Sequence, residues 1–221
     1  MATKQRGRPR SFDRDTALEK ALRAFWEQGY ETTSIADLTR AMGIAAPSLY
    51  SAFGDKRTLF EEVVETYVRR YGGFVGRALA EEPTARGAIE RVLREAAAEY
   101  TAPGRPSGCL VINAAVNAAP ASAEVAEALR VMREENARAF ASRIRAGVAA
   151  GELPADTDAS ALARFVASVL QGMSQQSRDG AGREELEAVA DTAMRAWPEA
   201  PGAAGEESGA AEESGAAARR S

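Results

Sequence analysis

The chain has 221 residues, 45% of them apolar, enough for one or two globular domains with a sizeable core. It holds no histidine and a single cysteine, Cys109. That excludes Ser-His-Asp and Cys-His catalysis, an internal disulfide, and an N/S zinc site built within one chain. Net charge is −4, unevenly spread: residues 1–60 carry ten Lys/Arg against seven Asp/Glu, residues 61–200 sixteen against twenty-one, and residues 201–221 two against four. A basic head on an acidic body suits a nucleic-acid reader with a separate partner domain. No apolar run approaches the roughly 18 residues of a membrane span, and the basic N-terminus has no apolar stretch behind it, so a cytoplasmic chain with no membrane partner is expected. No phosphate-cradling glycine loop is present, and no cofactor or metal is expected.

Almost every segment has helical period, which predicts an all-α fold of about nine helices. A basic arm over residues 1–12 precedes the first helix, which starts near Asp13, an N-cap, and buries Leu18, Ala21, Leu22 and Phe25 with Trp26 on the flank; Gly29 ends it. The second starts at Ser34, where Ser34 and Asp37 have the spacing of a capping box, and Gly43 closes it. A short third runs from Ala46 to Phe53, with Pro47 in its first turn, where a missing N–H does no harm. The fourth opens at Gly54-Asp55 and carries Leu59, Phe60, Val63, Tyr67 and Tyr71 past a Gly72-Gly73 pair that can bend it. Further helices follow over about 84–101, 108–118, 122–150, 158–178 and 183–197. From residue 199 the repeated EESGAA has nothing large to bury, which predicts a disordered tail over 199–221.

Two helices joined by a tight glycine turn also describe an ordinary helical hairpin. Specific residues decide otherwise. Phe25, Gly29, Tyr30, Thr33, Ser34, Ile35, Leu38, Gly43, Ile44, Leu49, Tyr50, Phe53, Lys56, Leu59 and Phe60 stand in the order of the head of the TetR/AcrR regulators, which this stretch resembles. Thr39 departs from the usual Ala at a packing position. The resemblance implies a helix-turn-helix DNA-binding domain over about 13–60, followed over 61–198 by a helical domain for ligand binding and dimerisation.

It also implies roles. Thr33 and Ser34, at a helix N-terminus, suit a phosphate; Tyr50 and Lys56 would contact phosphates, with Arg40 adding charge. Base reading falls to Ala46, Pro47, Ser48 and Ser51, small residues that favour thymine methyl groups. The arm contains Arg6, Arg8 and Arg10 in RGRPR, which resembles an AT-hook core fitted to a narrow minor groove; a generic basic tail is the other reading.

In the body, the family plan places a small-molecule inducer among helices four to eight, with Tyr67, Tyr71, Tyr100, Cys109, Asn113, Asn117, Phe140 and Gln171 as candidate lining. Plain core is the competing reading for the aromatics. Asn113 and Asn117 lie four apart on an otherwise apolar helix and need partners. Residues 106–117, with the Gly108-Cys109-Leu110 run, resemble a branch in which the cysteine senses electrophiles, oxidants or copper; Asn117 replaces that branch's Glu, which counts against metal sensing, and a small buried thiol is the alternative. A homodimer face on the last two helices would use Leu162, Phe165, Val166, Val169, Met173, Leu186, Val189 and Trp197, although the same spacing fits the core of one subunit. The expected function is a repressor released from palindromic double-stranded operator DNA by a small molecule or by cysteine modification. Activation instead of repression, an enzyme, and an architectural DNA protein stand as alternatives.

Overall fold

The computed structural model describes residues 12–114 and 119–199. Helix α1 (Arg14–Gln28) is capped by Asp13, whose carboxylate accepts from the Thr16 N–H at 2.8 Å. Helix α2 (Ile35–Met42) opens on a reciprocal Ser34–Asp37 capping box and closes at Gly43, whose φ of +72° is the left-handed geometry glycine adopts freely. Helix α3 (Ala46–Phe53) carries Pro47 in its first turn. Helix α4 (Lys56–Tyr67) is capped by Asp55, which accepts from the Thr58 N–H at 2.8 Å.

The fourth helix does not run on past Gly72-Gly73. It stops at Tyr67, passes through a π-helical turn over Val68–Gly72, and a separate helix α5 (Phe74–Glu81) begins. The Gly72-Gly73 pair lowers helical propensity at that point, which is why the apolar repeat is carried by two helices in place of one. Helix α6 (Ala85–Tyr100) follows, then a one-turn α7 (Leu110–Asn113), a 3₁₀ turn at Pro120–Ser122, and α8 (Ala123–Ala149). Helices α9 (Ala159–Arg178) and α10 (Arg183–Arg195) follow, making ten α-helices and no strand among the described residues. None of these helices is long and apolar enough to cross a membrane.

The chain divides into two compact units: residues 1–72 with 103–130, and residues 73–102 with 131–221. In the first, α1 packs on α2, α4 and α7. Phe25 and Tyr30 enclose Phe60, at ring separations of 5.0 and 4.9 Å, and Trp26 meets Tyr67 edge-on at 4.8 Å. Each such pair adds about 0.5–1.5 kcal/mol beyond area burial. In the second unit α6 is central, packing against α5, α9 and α10. Ile89, Val92, Leu93 and Ala96 on α6 are at most 1% exposed, beside Met173 and Leu186 at 0%. The α6 N-terminus is held by Glu152, whose carboxylate accepts from the Ala85 N–H at 2.6 Å.

Candidate nucleic-acid interface

The geometry of α2 and α3 follows from local chemistry. The Ser34 hydroxyl accepts from the Asp37 N–H at 3.1 Å, and Asp37 accepts from the Ser34 N–H at 3.1 Å. Asp37 is held below the usual carboxylate range by the Ser34 hydroxyl and N–H. Leu38 and Met42 anchor α2 inward, and Leu49 and Phe53 anchor α3. The opposite side of α3 is open. Tyr50 is 51% exposed, Pro47 and Ser51 are exposed, and Ala46 and Ser48 are partly so.

Arg14 fixes the end of α3. Its guanidinium donates to Glu62 Oε2 at 2.7 Å and to the Ala52 carbonyl at 3.3 Å, and lies 4.4 Å from the Phe53 ring centroid. Period marks Arg14 only as a polar position near a helix start. Its part in aiming the exposed face of α3 lies in contacts with residues 38 to 48 positions away.

The predicted phosphate contacts separate. Thr33 is fully buried, and its hydroxyl donates to the Gly29 carbonyl at 2.6 Å. It braces the α1–α2 turn and cannot reach a phosphate, which corrects the role expected for it. Ser34 is exposed but spends its hydroxyl on the capping box. Arg40 is exposed and rests on Asp37 at 2.9 Å, a surface pair of little net strength that a phosphate can replace. Lys56 lies 4.3 Å from the Tyr30 ring centroid, and partial burial lowers its pKa. Arg6, Arg8 and Arg10 lie outside the described residues.

The candidate ligand residues fall into both units. In the first, Tyr67 is buried against Trp26. Tyr71 is half-buried; its hydroxyl donates to Glu19 Oε1 at 3.0 Å, and the Arg105 guanidinium stacks on its ring at 5.1 Å. Cys109 is partly exposed at the N-cap position of α7, and Asn113 at its end is partly exposed. Asn117 lies outside the described residues. In the second unit, Tyr100 and Phe140 are buried, Tyr100 packing edge-on to Phe74 at 6.4 Å. Gln171 is exposed on α9.

The dimer candidates divide by burial. Val166, Met173, Leu186 and Trp197 are at most 6% exposed and belong to the subunit's own core, so they are removed from the expected dimer face. Phe165 is 41% exposed, and Leu162, Val169 and Val189 are partly exposed. Leu162, Phe165 and Val169 share one face of α9 at helical spacing.

A two-helix motif with an open, small-residue recognition helix, ahead of an all-helical body, defines a bacterial helix-turn-helix regulator. Residues 17–63 match the family profile "Bacterial regulatory proteins, tetR family", and residues 83–194 match the "Tetracyclin repressor-like, C-terminal domain" profile. The chain is 38% identical over 197 residues to the HTH-type transcriptional repressor ComR of Escherichia coli (strain K12), covering 89% of this chain and 94% of that protein. It is 29% identical over 200 residues to the HTH-type transcriptional repressor BdcR of the same organism, covering 89% and 96%. Among solved structures, a cysteine mutant of the TetR family transcriptional regulator CifR, complexed with 26-bp double-strand operator DNA, superposes with a TM-score of 0.83 at 47% identity, covering 87% of this chain and all of that one. The protein belongs to the TetR family of transcriptional regulators.

Proposed function

We propose that the protein is a homodimeric repressor that grips a palindromic operator through α2 and α3 and leaves it when a small molecule occupies the body or when Cys109 is modified. It acts in the cytoplasm, by binding and without catalysis. The observation that carries the reading is the outward face of α3, where Tyr50 stands 51% exposed beside Ser48 and Ser51 while Leu49 and Phe53 hold the helix down. The operator complex of CifR and the repressor relatives support the same reading. One head makes few contacts, so tight specific binding calls for two heads on two half-sites. The apolar stripe of Leu162, Phe165 and Val169 on α9 supports pairing there, and RGRPR supports added minor-groove contacts. Cys109, the only thiol, is partly exposed with Arg105 four residues before it, which supports a thiol-linked signal.

The test is a gel shift on the DNA flanking the protein's own gene, with and without N-ethylmaleimide. A saturable, sequence-specific shift is expected, with release by the reagent in wild type and not in Cys109→Ser. Equal release from both would remove the thiol from the signal, and no specific shift would remove the operator.

A further inference from the structure

Helix α1 and the turn after it hold one continuous stretch of backbone through three donors. The Arg23 guanidinium donates to the Gly104 carbonyl at 2.6 Å. The Trp26 indole N–H donates to the Gly108 carbonyl at 3.1 Å, and the Tyr30 backbone N–H to the Ala114 carbonyl at 2.7 Å. Glu31 continues the row. Its carboxylate accepts from the Ala119 N–H at 3.1 Å and from the Ser122 hydroxyl, at the entry to α8, and these bonds hold it below the usual carboxylate range. Arg57, at the start of α4, pairs with Glu124 in the first turn of α8.

These contacts join parts with different jobs. Gly108 immediately precedes Cys109, and α7 follows. On the other side, α1 is the helix against which both α2 and α4 pack, so it fixes where α3 points. Lys56, a candidate phosphate contact, lies on the ring of Tyr30, next in the chain to Glu31. A displacement of the backbone at 108–114 or 119–124 therefore strains bonds anchored in the helix-turn-helix itself. No rearrangement of the rest of the body is needed to carry it.

We propose that Trp26 and Glu31 are positioning residues that couple the backbone around Cys109 to the helix-turn-helix, so that operator binding and the conformation at Cys109 bias each other. The proposal rests on the operator-binding reading. It does not require Cys109 to be a physiological sensor; the thiol serves here as a reporter. Coupling of this kind is reciprocal, so DNA bound at the head alters the population of conformers that expose the thiol.

The test measures the alkylation rate of Cys109 by N-ethylmaleimide on the full chain, with and without a duplex selected from random-sequence DNA for binding to wild type. In wild type the duplex changes the rate by about five-fold or more, the lower end of ordinary allosteric couplings. Trp26→Phe keeps a ring and loses the N–H donor. Glu31→Ala removes the carboxylate that holds Ala119 and Ser122. In each the change falls below about two-fold while the duplex is still bound. Trp26 is buried and its variant can lose stability; Glu31 is only partly buried, so its variant carries the test by itself. A wild-type rate indifferent to the duplex overturns the proposal. So does Glu31→Ala with the full wild-type change, which would make these contacts a static brace or the effect direct shielding by DNA. If no duplex binds wild type at all, the operator reading falls first and this proposal falls with it.

Discussion

The carbonyl oxygen of Ala114 accepts the backbone N–H of Tyr30 at 2.7 Å, and this bond seats the end of α7 on the turn between α1 and α2. The approach is possible because Gly29, just before Tyr30, has no side chain. A Cβ there would lie 3.2 Å from the same oxygen, and its backbone, at φ +88° and ψ 170°, occupies a region that is nearly exclusive to glycine.

Gly29→Ala is expected to lower unfolding stability by about 1–3 kcal/mol, the cost of backbone strain of this kind. Denaturant unfolding checks it. A loss below about 0.5 kcal/mol would mean that the turn adapts and the Ala114 contact is not tight.

Tyr50→Phe is expected to weaken operator binding by about 1 kcal/mol, roughly five-fold in Kd, through loss of one hydroxyl contact. Because Tyr50 is 51% exposed, its melting temperature should not move. Titration by fluorescence anisotropy reads the affinity. An unchanged Kd would place the hydroxyl away from the DNA.

Acid should destabilise the head through its caps. Asp13, Asp37 and Asp55 are all held below the usual carboxylate range: Asp13 and Asp55 first by the backbone N–H groups of Thr16 and Thr58, and Asp37 first by the Ser34 hydroxyl. A carboxyl whose folded pKa lies below its unfolded value of about 3.9 adds stability above that pH and loses it as pH falls through the folded value. Melting temperature should therefore fall as pH drops below about 4. Asn caps nearly as well as Asp and does not titrate. The double variant Asp13→Asn and Asp55→Asn should thus show a shallower decline by circular dichroism, and parallel curves would argue against the caps.

Neighbouring residues on α9 should behave differently. Phe165→Glu puts a charge on an exposed face and is expected to give a folded monomer by analytical ultracentrifugation, with operator affinity reduced at least ten-fold, which is about 1.4 kcal/mol. Val166, 1% exposed, faces the core, and Val166→Glu should unfold the second unit. A dimeric Phe165→Glu would move the pairing surface elsewhere.

The sequence by itself determined the features that local chemistry controls. Ser34 and Asp37 are three residues apart and cap α2 wherever that helix sits. Gly43 supplies the left-handed turn. The spacing of Leu38, Met42, Leu49 and Phe53 sets which faces turn inward, and the order of these residues identifies the family. Only the tertiary structure decided what each inward or outward face meets. Helical period marks Val166 and Phe165 alike as apolar, and their opposite fates depend on α6 and α10 covering one side of α9. Thr33 reads as a surface hydroxyl until the Gly29 carbonyl is placed beside it. Residues 103–130 join the head because Arg23, Trp26, Tyr30 and Glu31 bond to backbone groups there. Every residue carries a backbone carbonyl, so acceptors at Gly104, Gly108 and Ala114 leave no mark in the sequence.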